Sequence, residues 1–358
     1  MSRFVFVGKI VKPKENLIKT GKNDFKSLNF IIKSDDGSNT AFVSLPRLGI
    51  KPGDTHISVF DKDRANKNRL QVPFNDRFNE KTLALVSGMS KYRTNIGTDG
   101  KVKEFLTQQD LFDYLAPIIE AEDNLRVEAS GRIRVSEYNG NFYYNFEIKD
   151  IFVNDIKKSQ FMLDMELFYG KETLDMTDKN NVVIINAYIE EYISTVKEKR
   201  FIPVILEFNT SKLDLTNEKH KAIYDANIRD FTIRDNSVVK MKWSLKYIRG
   251  AEKIAKSYED LTEKQQESIK LGRKTLEDYS GDMLGESKQS IRIIEPKLEY
   301  DYSNGRIDIG LTYNEFIEKI YQPLVEAKSK KPTIDEVLKT TDAEDDNIFN
   351  DEMDDLLG

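Results

Sequence analysis

The chain contains no cysteine. Disulfides, thiolate metal sites and a cysteine nucleophile are therefore excluded, and the composition suits a reducing compartment. Histidine is nearly absent. His56 and His220 are too few and too far apart for a typical His-rich metal site. His56, beside Asp54 in an expected strand, reads as a surface or internally satisfied histidine. No run approaches the roughly 20 apolar residues of a membrane span, and the polar-rich start does not read as a signal peptide. The Gly-Lys pairs beginning at Gly8, Gly21, Gly100 and Gly170 are not followed by Ser or Thr and lack the upstream glycine of a phosphate-binding loop. Neither a GxGxxG after a strand nor a Gly-x-Ser-x-Gly elbow occurs. No cofactor, metal ion or catalytic residue is expected, and the chain does not read as an enzyme.

What is present is charge, unevenly spread. The chain holds 55 Lys plus Arg against 61 Asp plus Glu. Eight of the acids lie in the last seventeen residues, Asp342 to Gly358, which contain no Lys, Arg or His. Without that tail the balance is 55 against 53. The first 103 residues hold 20 basic and 10 acidic residues. A basic end and an acidic end suggest a polyanion-binding region and a tail that competes with the polyanion or recruits something else. So dense a run of like charge cannot offset chain entropy and should stay unfolded. Ile348, Phe349, Met353, Leu356 and Leu357 punctuate it, a common form of partner-binding peptide; a merely solubilising terminus is the alternative.

Aromatics make up 10% of the chain, enough to expect that most of it folds. Alternation predicts strands at Arg3 to Val11, Phe25 to Lys33 and Thr40 to Leu45, the last two joined by the turn Asp35-Asp36-Gly37-Ser38. Further strands are expected at His56 to Phe60 and Thr82 to Val86. Thr107 reads as the N-cap of a helix carrying Leu111, Phe112, Leu115, Ile118 and Ile119 on one stripe. The clearest hairpin follows. Arg126 to Val135 places Val127, Ala129, Gly131, Ile133 and Val135 on one face, with Arg126, Ser130, Arg132 and Arg134 on the other. After the Asn139-Gly140 turn, Phe142, Tyr144, Phe146 and Ile148 face inward, with Phe152 a further candidate, while Tyr143 and Lys149 face outward.

The second half is also strand-rich, with extended runs expected at Phe161 to Tyr169, Val182 to Ile193, Phe201 to Phe208, Asn227 to Ile233, Val238 to Ile248 and Ile291 to Tyr302. Helices are expected over Tyr258 to Leu276 and Tyr313 to Val325, and a short one over Ile334 to Leu338. Trp243 and Tyr247, beside Lys242 and Lys246, share strand parity with Met241 and Leu245, which favours core packing over base stacking. The pattern predicts a mainly β protein with a few helices: OB-like Greek-key β-barrels, two of them, followed by a disordered acidic tail. The expected divisions are 1–157, a basic nucleic-acid-binding domain; 158–326, a second strand-rich domain; 327–341, a linker; and 342–358, the tail.

Single-stranded nucleic acid is held by cations that track phosphates and by rings on which bases stack. The candidates are Phe42 on the outward face of its hairpin; Lys62, Arg64, Lys67, Arg69, Phe74 and Arg77 in a basic loop; Lys91, Tyr92 and Arg93; and Arg132, Arg134 and Tyr143 on the clear hairpin. Core anchoring of the rings and ordinary surface charge are the competing readings. Asp61-x-Asp63 and Glu147-x-Lys149 are the two carboxylate patterns a magnesium nuclease could use, and both also suit a charged surface.

In its OB-like strand pattern, basic aromatic first half and acidic tail, the chain resembles single-stranded DNA-binding proteins of the replication type, bacteriophage forms more than short bacterial ones. The resemblance implies a non-enzymatic, largely sequence-independent protein that coats single-stranded DNA during replication, recombination or repair. Stacking and phosphate contacts would serve RNA as well. It assigns recruitment of replication or repair proteins to the tail, on Asp345, Asp346, Ile348, Phe349, Asp354, Asp355, Leu356 and Leu357. Family tails commonly end on an aromatic, whereas Phe349 is internal here. A cytoplasmic location, that of the host if viral, goes with this reading. The rivals are a magnesium-dependent nuclease and a viral structural or adaptor protein.

Overall fold

Alternation builds the strands. In Arg3–Val11 (β1), Phe4, Phe6 and Ile10 are buried while Arg3, Lys9 and Val11 are exposed. The architecture is that of a computed structural model. It describes residues 2–322 apart from 14–16, 22–24, 50–52, 62–67, 123–124, 139–140, 177–181, 194–195, 212, 254–261, 272–283 and 298–304. The expected segment Ile334 to Leu338, the linker and the acidic tail lie outside the described residues.

After β1 come Ile18–Thr20 (β2), Lys26–Lys33 (β3), Thr40–Pro46 (β4), His56–Phe60 (β5), Arg69–Pro73 (β6), Tyr92–Thr94 (β7) and Lys103–Phe105 (β8). Arg126–Tyr138 (β9) and Asn141–Val153 (β10) form the long hairpin. The second half contains Gln160–Tyr169 (β11), Leu174–Asp175 (β12), Val182–Ile193 (β13), Glu198–Asn209 (β14), Ser237–Lys253 (β15), Leu284–Pro296 (β16) and Ile307–Thr312 (β17). Helices are Glu80–Leu85 (α1), Gln108–Ala121 (α2), Glu218–Phe231 (α3), Glu263–Lys270 (α4) and Tyr313–Glu318 (α5).

The pairings close twice. β1 pairs with β3, β3 with β4, β4 with β10, β10 with β9, and β9 with β1 again. All are antiparallel except β4 with β10, and α2 lies between β4 and β9 in the chain. The second circuit runs β11, β13, β14, β16, β15 and back to β11. Its one parallel pair is β14 with β16, and α3 lies between β14 and β15. Strand order, parallel closure and helix position are the same in both, although no residue-level repeat is visible in the sequence.

The circuits are joined through their first strands, β1 antiparallel to β11 with Phe6 opposite Phe161. One buried core runs through both. Phe6 stacks on Phe161 at 5.1 Å, and Tyr247 of the second circuit meets Phe146 of the first at 5.1 Å. Each such ring pair adds roughly 0.5–1.5 kcal/mol beyond its area burial. Trp243 and Tyr247 are core residues, as parity indicates, and Trp243 stacks on Phe231 at 4.5 Å.

Four sequence expectations change. Thr82 to Val86 is not a strand: the Asn79 side chain accepts from the Lys81 amide and opens α1 there. Asn227 to Ile233, expected to be extended, is mostly the end of α3, which Asn217 caps through the Lys219 and His220 amides. Tyr224, Ile228 and Phe231 supply its inward stripe. Of the expected helix Tyr313 to Val325, the described residues, which end at 322, give only α5, closed at its start by a Thr312–Glu315 capping box. In β10 a bulge at Lys149 shifts the register, so Ile151 is buried and Phe152 lies on the other face. The Thr107 cap is as expected, its hydroxyl accepting from the Asp110 amide at 3.0 Å.

Candidate nucleic-acid interface

The outer surface of β1, β3 and β4 is built in rows by the strand register. Lys9 lies opposite Lys33, and Lys33 opposite Thr40. One row along, Val11 lies opposite Ile31 and Ile31 opposite Phe42. Asn29 and Ser44 make the next row. Their inward neighbours Ile10, Leu28, Phe30, Ile32, Ala41, Val43 and Leu45 fill the core, so these residues must face outward. Val11 and Phe42 are 39% and 36% exposed. The surface is thus an apolar strip between two lysines and a row of small polar groups, with no carboxylate in any of the three rows.

The β3–β4 turn is tightly specified. Gly37 adopts φ 74°, and the Asp36 carboxylate accepts from the Ser34 and Ser38 hydroxyls at 2.6 and 2.8 Å. Asp35 is held by Arg126 through two bonds of 3.0 and 2.8 Å and by the Ser159 hydroxyl at 2.6 Å. The Arg126 hydrogen bonds hold its carboxyl well below the usual range.

The second circuit reaches this surface. Thr40 donates its hydroxyl to the Arg249 carbonyl at 3.1 Å, and the Arg249 guanidinium lies 4.4 Å above the Phe42 ring. Gly250 has φ 145°, and a Cβ there would stand 2.3 Å from the Ser38 carbonyl oxygen. Only glycine permits so close an approach.

A second aromatic and cationic surface lies on the connection between β4 and α2. β5 and β6 form a separate two-stranded ribbon, packed through Ile57, Val59 and Val72 onto Val86 and Leu106. Its outward side carries Phe60, 56% exposed, with Arg69 opposite it and 5.9 Å above its ring. Beyond the ribbon the Arg77 guanidinium lies 3.7 Å from the Phe74 ring centre and 4.3 Å from that of Phe78. Arg77 also pairs with Asp110 at 3.1 Å and donates to the Phe74 carbonyl at 2.8 Å, so much of its charge is committed within the fold.

The other sequence-derived candidates are distributed differently. Lys91 is buried, donating to the Leu83 carbonyl and to Glu104, which corrects its reading as a phosphate ligand. Arg93 makes two bonds of 3.0 Å to Asp150, and Tyr92 packs against the core. Arg132 and Arg134 both pair with Glu147, so one carboxylate already serves the two expected groove arginines. Both guanidiniums also act on Glu191 of β13, which puts them at the seam with the second circuit. Burial pushes the Glu191 carboxyl up despite their opposing charge. Tyr143 is half-buried, opposite Ser136. Lys62, Arg64 and Lys67 lie outside the described residues, as do Asp63 and the tail. A metal at Glu147 would have to displace two guanidiniums, and among the described residues no group of three or more His, Asp or Glu is arranged to hold one.

Of the residues on these candidate surfaces, the sequence pattern had pointed to Phe42, Arg69, Phe74 and Arg77 and not to Lys9, Val11, Ile31, Lys33, Phe60 or Arg249. The doubled Ile31-Ile32 was a usable signal, because one of two adjacent apolar residues in a strand must face outward. Arg249 had none: its parity is that of the buried Met241, Trp243, Leu245 and Tyr247.

No helix among the described residues is long and apolar enough to cross a membrane. No family model and no curated protein matches the chain. Among solved structures, it has a distant similarity to a deletion mutant of the single-stranded DNA-binding protein from Thermus aquaticus. The two share 9% identity, the TM-score is 0.29, and the match covers 69% of this chain and 87% of that one.

Proposed function

We propose that this protein binds single-stranded DNA, largely without regard to sequence, on the outer surface of β1, β3 and β4. The observation that carries the proposal is the Val11–Ile31–Phe42 strip beside Lys9 and Lys33. It crosses the first three strands of a five-stranded circuit whose closure, helix position and order fit an OB-type barrel, with Ile31 on the second strand and Phe42 on the third. That face is where such barrels take oligonucleotides. Bases would lie on the strip, phosphates beside the lysines, and Asn29 and Ser44 would meet base edges or backbone without selecting a sequence. The Phe60–Arg69 pair on the ribbon would extend the path.

On this reading residues 1–157 and 158–326 are two OB-type domains, 327–341 a linker and 342–358 a tail that recruits replication or repair proteins. The protein would coat and protect the strand rather than cut it. The test is fluorescence anisotropy of labelled oligo-dT, oligo-rU and a duplex of equal length, each at two salt concentrations. Oligo-dT should bind most tightly and weaken steeply with salt. Equal or tighter duplex binding, or no binding at low salt, would overturn the proposal. Preference for oligo-rU would move the substrate to RNA. Degradation of the DNA on adding Mg²⁺ would restore the nuclease reading.

A further inference from the structure

We infer that the second circuit completes this surface, contributing Arg249 as the plane on which one unpaired base stacks. The inference rests on the single-strand reading above and adds a residue outside the first 157. Its geometry is built at the backbone. The Asn39 amide donates to the Tyr247 carbonyl at 2.9 Å and its oxygen accepts from the Arg249 amide at 2.7 Å. The Thr40 hydroxyl holds the Arg249 carbonyl, and Gly250 lets the strand pass against Ser38. Residues 247–250 are thereby fixed to the β3–β4 turn.

The side chain has no carboxylate tie of the kind that holds the other arginines of these surfaces. Among the described residues no carboxylate pairs with Arg249, whereas Arg77, Arg93, Arg126, Arg132 and Arg134 each have one. It hydrogen-bonds the Tyr247 side chain and lies over the Phe42 ring, which shares the outward strip with Ile31 and Val11. A guanidinium is planar and stacks through both faces. With one face on Phe42, the other presents a flat cation to a base, giving a ring–guanidinium–base stack and a charge for the adjoining phosphate. Duplex bases, already stacked on each other, cannot use it, so Arg249 favours unpaired strands.

The experiment compares the full chain with Arg249→Lys, Arg249→Ala, Phe42→Ala and Phe42→Ala/Arg249→Lys, each checked for an unchanged melting temperature. Binding is measured to oligo-dT and to the same oligomer carrying one 2-aminopurine. Lysine keeps the charge and loses the plane. Arg249→Lys should weaken binding about tenfold with an unaltered salt slope and reduce 2-aminopurine quenching. Arg249→Ala should also flatten the salt slope by about one. In the Phe42→Ala background, the lysine substitution should have little further effect, because the stack is one unit. Wild-type affinity and quenching in Arg249→Lys, with the parent protein binding normally, would overturn this inference alone. Independent, multiplying effects of the two substitutions would do the same. Failure of the parent to bind would instead overturn the single-strand reading.

Discussion

The side chain of Asn39 stands where a strand would stand beside Arg249, its oxygen accepting the Arg249 amide at 2.7 Å while also accepting the Thr40 amide at 2.9 Å. Its nitrogen donates to the Tyr247 carbonyl, so one side chain ties the β3–β4 turn of the first circuit to β15 of the second. Asn39 is buried, and water cannot replace these bonds freely.

Asn39→Ala should therefore cost about 1–3 kcal/mol, because it leaves buried backbone groups of Tyr247 and Arg249 unsatisfied. Urea unfolding followed by intrinsic fluorescence measures this. The same variant should weaken oligo-dT binding by loosening Arg249 over Phe42. A loss below 0.5 kcal/mol, as at an ordinary surface site, would show that the tie is not structural.

Charge position separates the two sets of cations. Lys9→Ala and Lys33→Ala should each reduce the salt slope of oligo-dT binding by about one. Arg134→Ala should change that slope less, since its guanidinium already pairs with Glu147 at 2.9 Å. Anisotropy titrations across a range of NaCl concentrations decide between them. A slope lowered as much by Arg134→Ala as by Lys33→Ala would return the seam arginines to the binding path.

Much of the strand architecture was legible because period-2 alternation is a local signal. Trp243 and Tyr247 were placed in the core on parity alone. The two misassigned segments were short: Thr82 to Val86 is five residues, which cannot separate a strand from one helical turn by pattern. Asn79 before Glu80 and Asn217 before Glu218 were the cap signals that could have corrected both. At the site, Phe42 was legible because an apolar residue stood on a polar face. The ion pairs of Arg132 and Arg134 were legible too, because the Asn-Gly hairpin fixes Glu147 opposite Arg132, a pairing that register alone implied. Arg249 depends on a contact between two circuits, and no local pattern carries it.

The second circuit is covered on its outer face by its own C-terminal segment. Phe316 meets Phe201 at 4.5 Å and Tyr188 at 5.0 Å, and the Phe201 amide donates to the Lys319 carbonyl at 3.0 Å. Tyr313 lies directly against the Gly170 backbone, where an added Cβ would be 2.6 Å from Cδ2 of its ring. Gly170→Ala should push Tyr313 and α5 off this face at a cost of about 1–3 kcal/mol. Limited proteolysis should then cut within 307–322 faster than in the parent protein. In a Tyr313→Ala background the glycine substitution should cost less, because the obstructing ring is gone. Unchanged proteolysis and stability in Gly170→Ala would mean that the ring shifts without releasing the segment.

Glu191 gives the seam between the circuits a pH dependence with a definite sign. Burial raises its carboxyl above the ordinary value of 4.5, and Arg134 and Arg132 offset part of that. In the unfolded chain it loses its proton near 4.5; in the folded protein it keeps it to higher pH. Its contribution to stability is thus complete below 4.5 and declines as pH rises through the folded value. Glu191→Gln resembles the protonated form at every pH. The variant and the parent should therefore be equally stable at pH 4, and the variant should be the more stable at pH 7, by the free energy equivalent of the shift. Arg134→Ala should widen that gap by removing the largest opposing charge. Urea unfolding at pH 4, 5.5 and 7 is the measurement. Parallel curves for Glu191→Gln and the parent would mean that the carboxylate is as well solvated in the folded protein as in the unfolded chain. A variant less stable at pH 7 would mean that the two arginines outweigh burial, so that Glu191 fastens the seam as an ion.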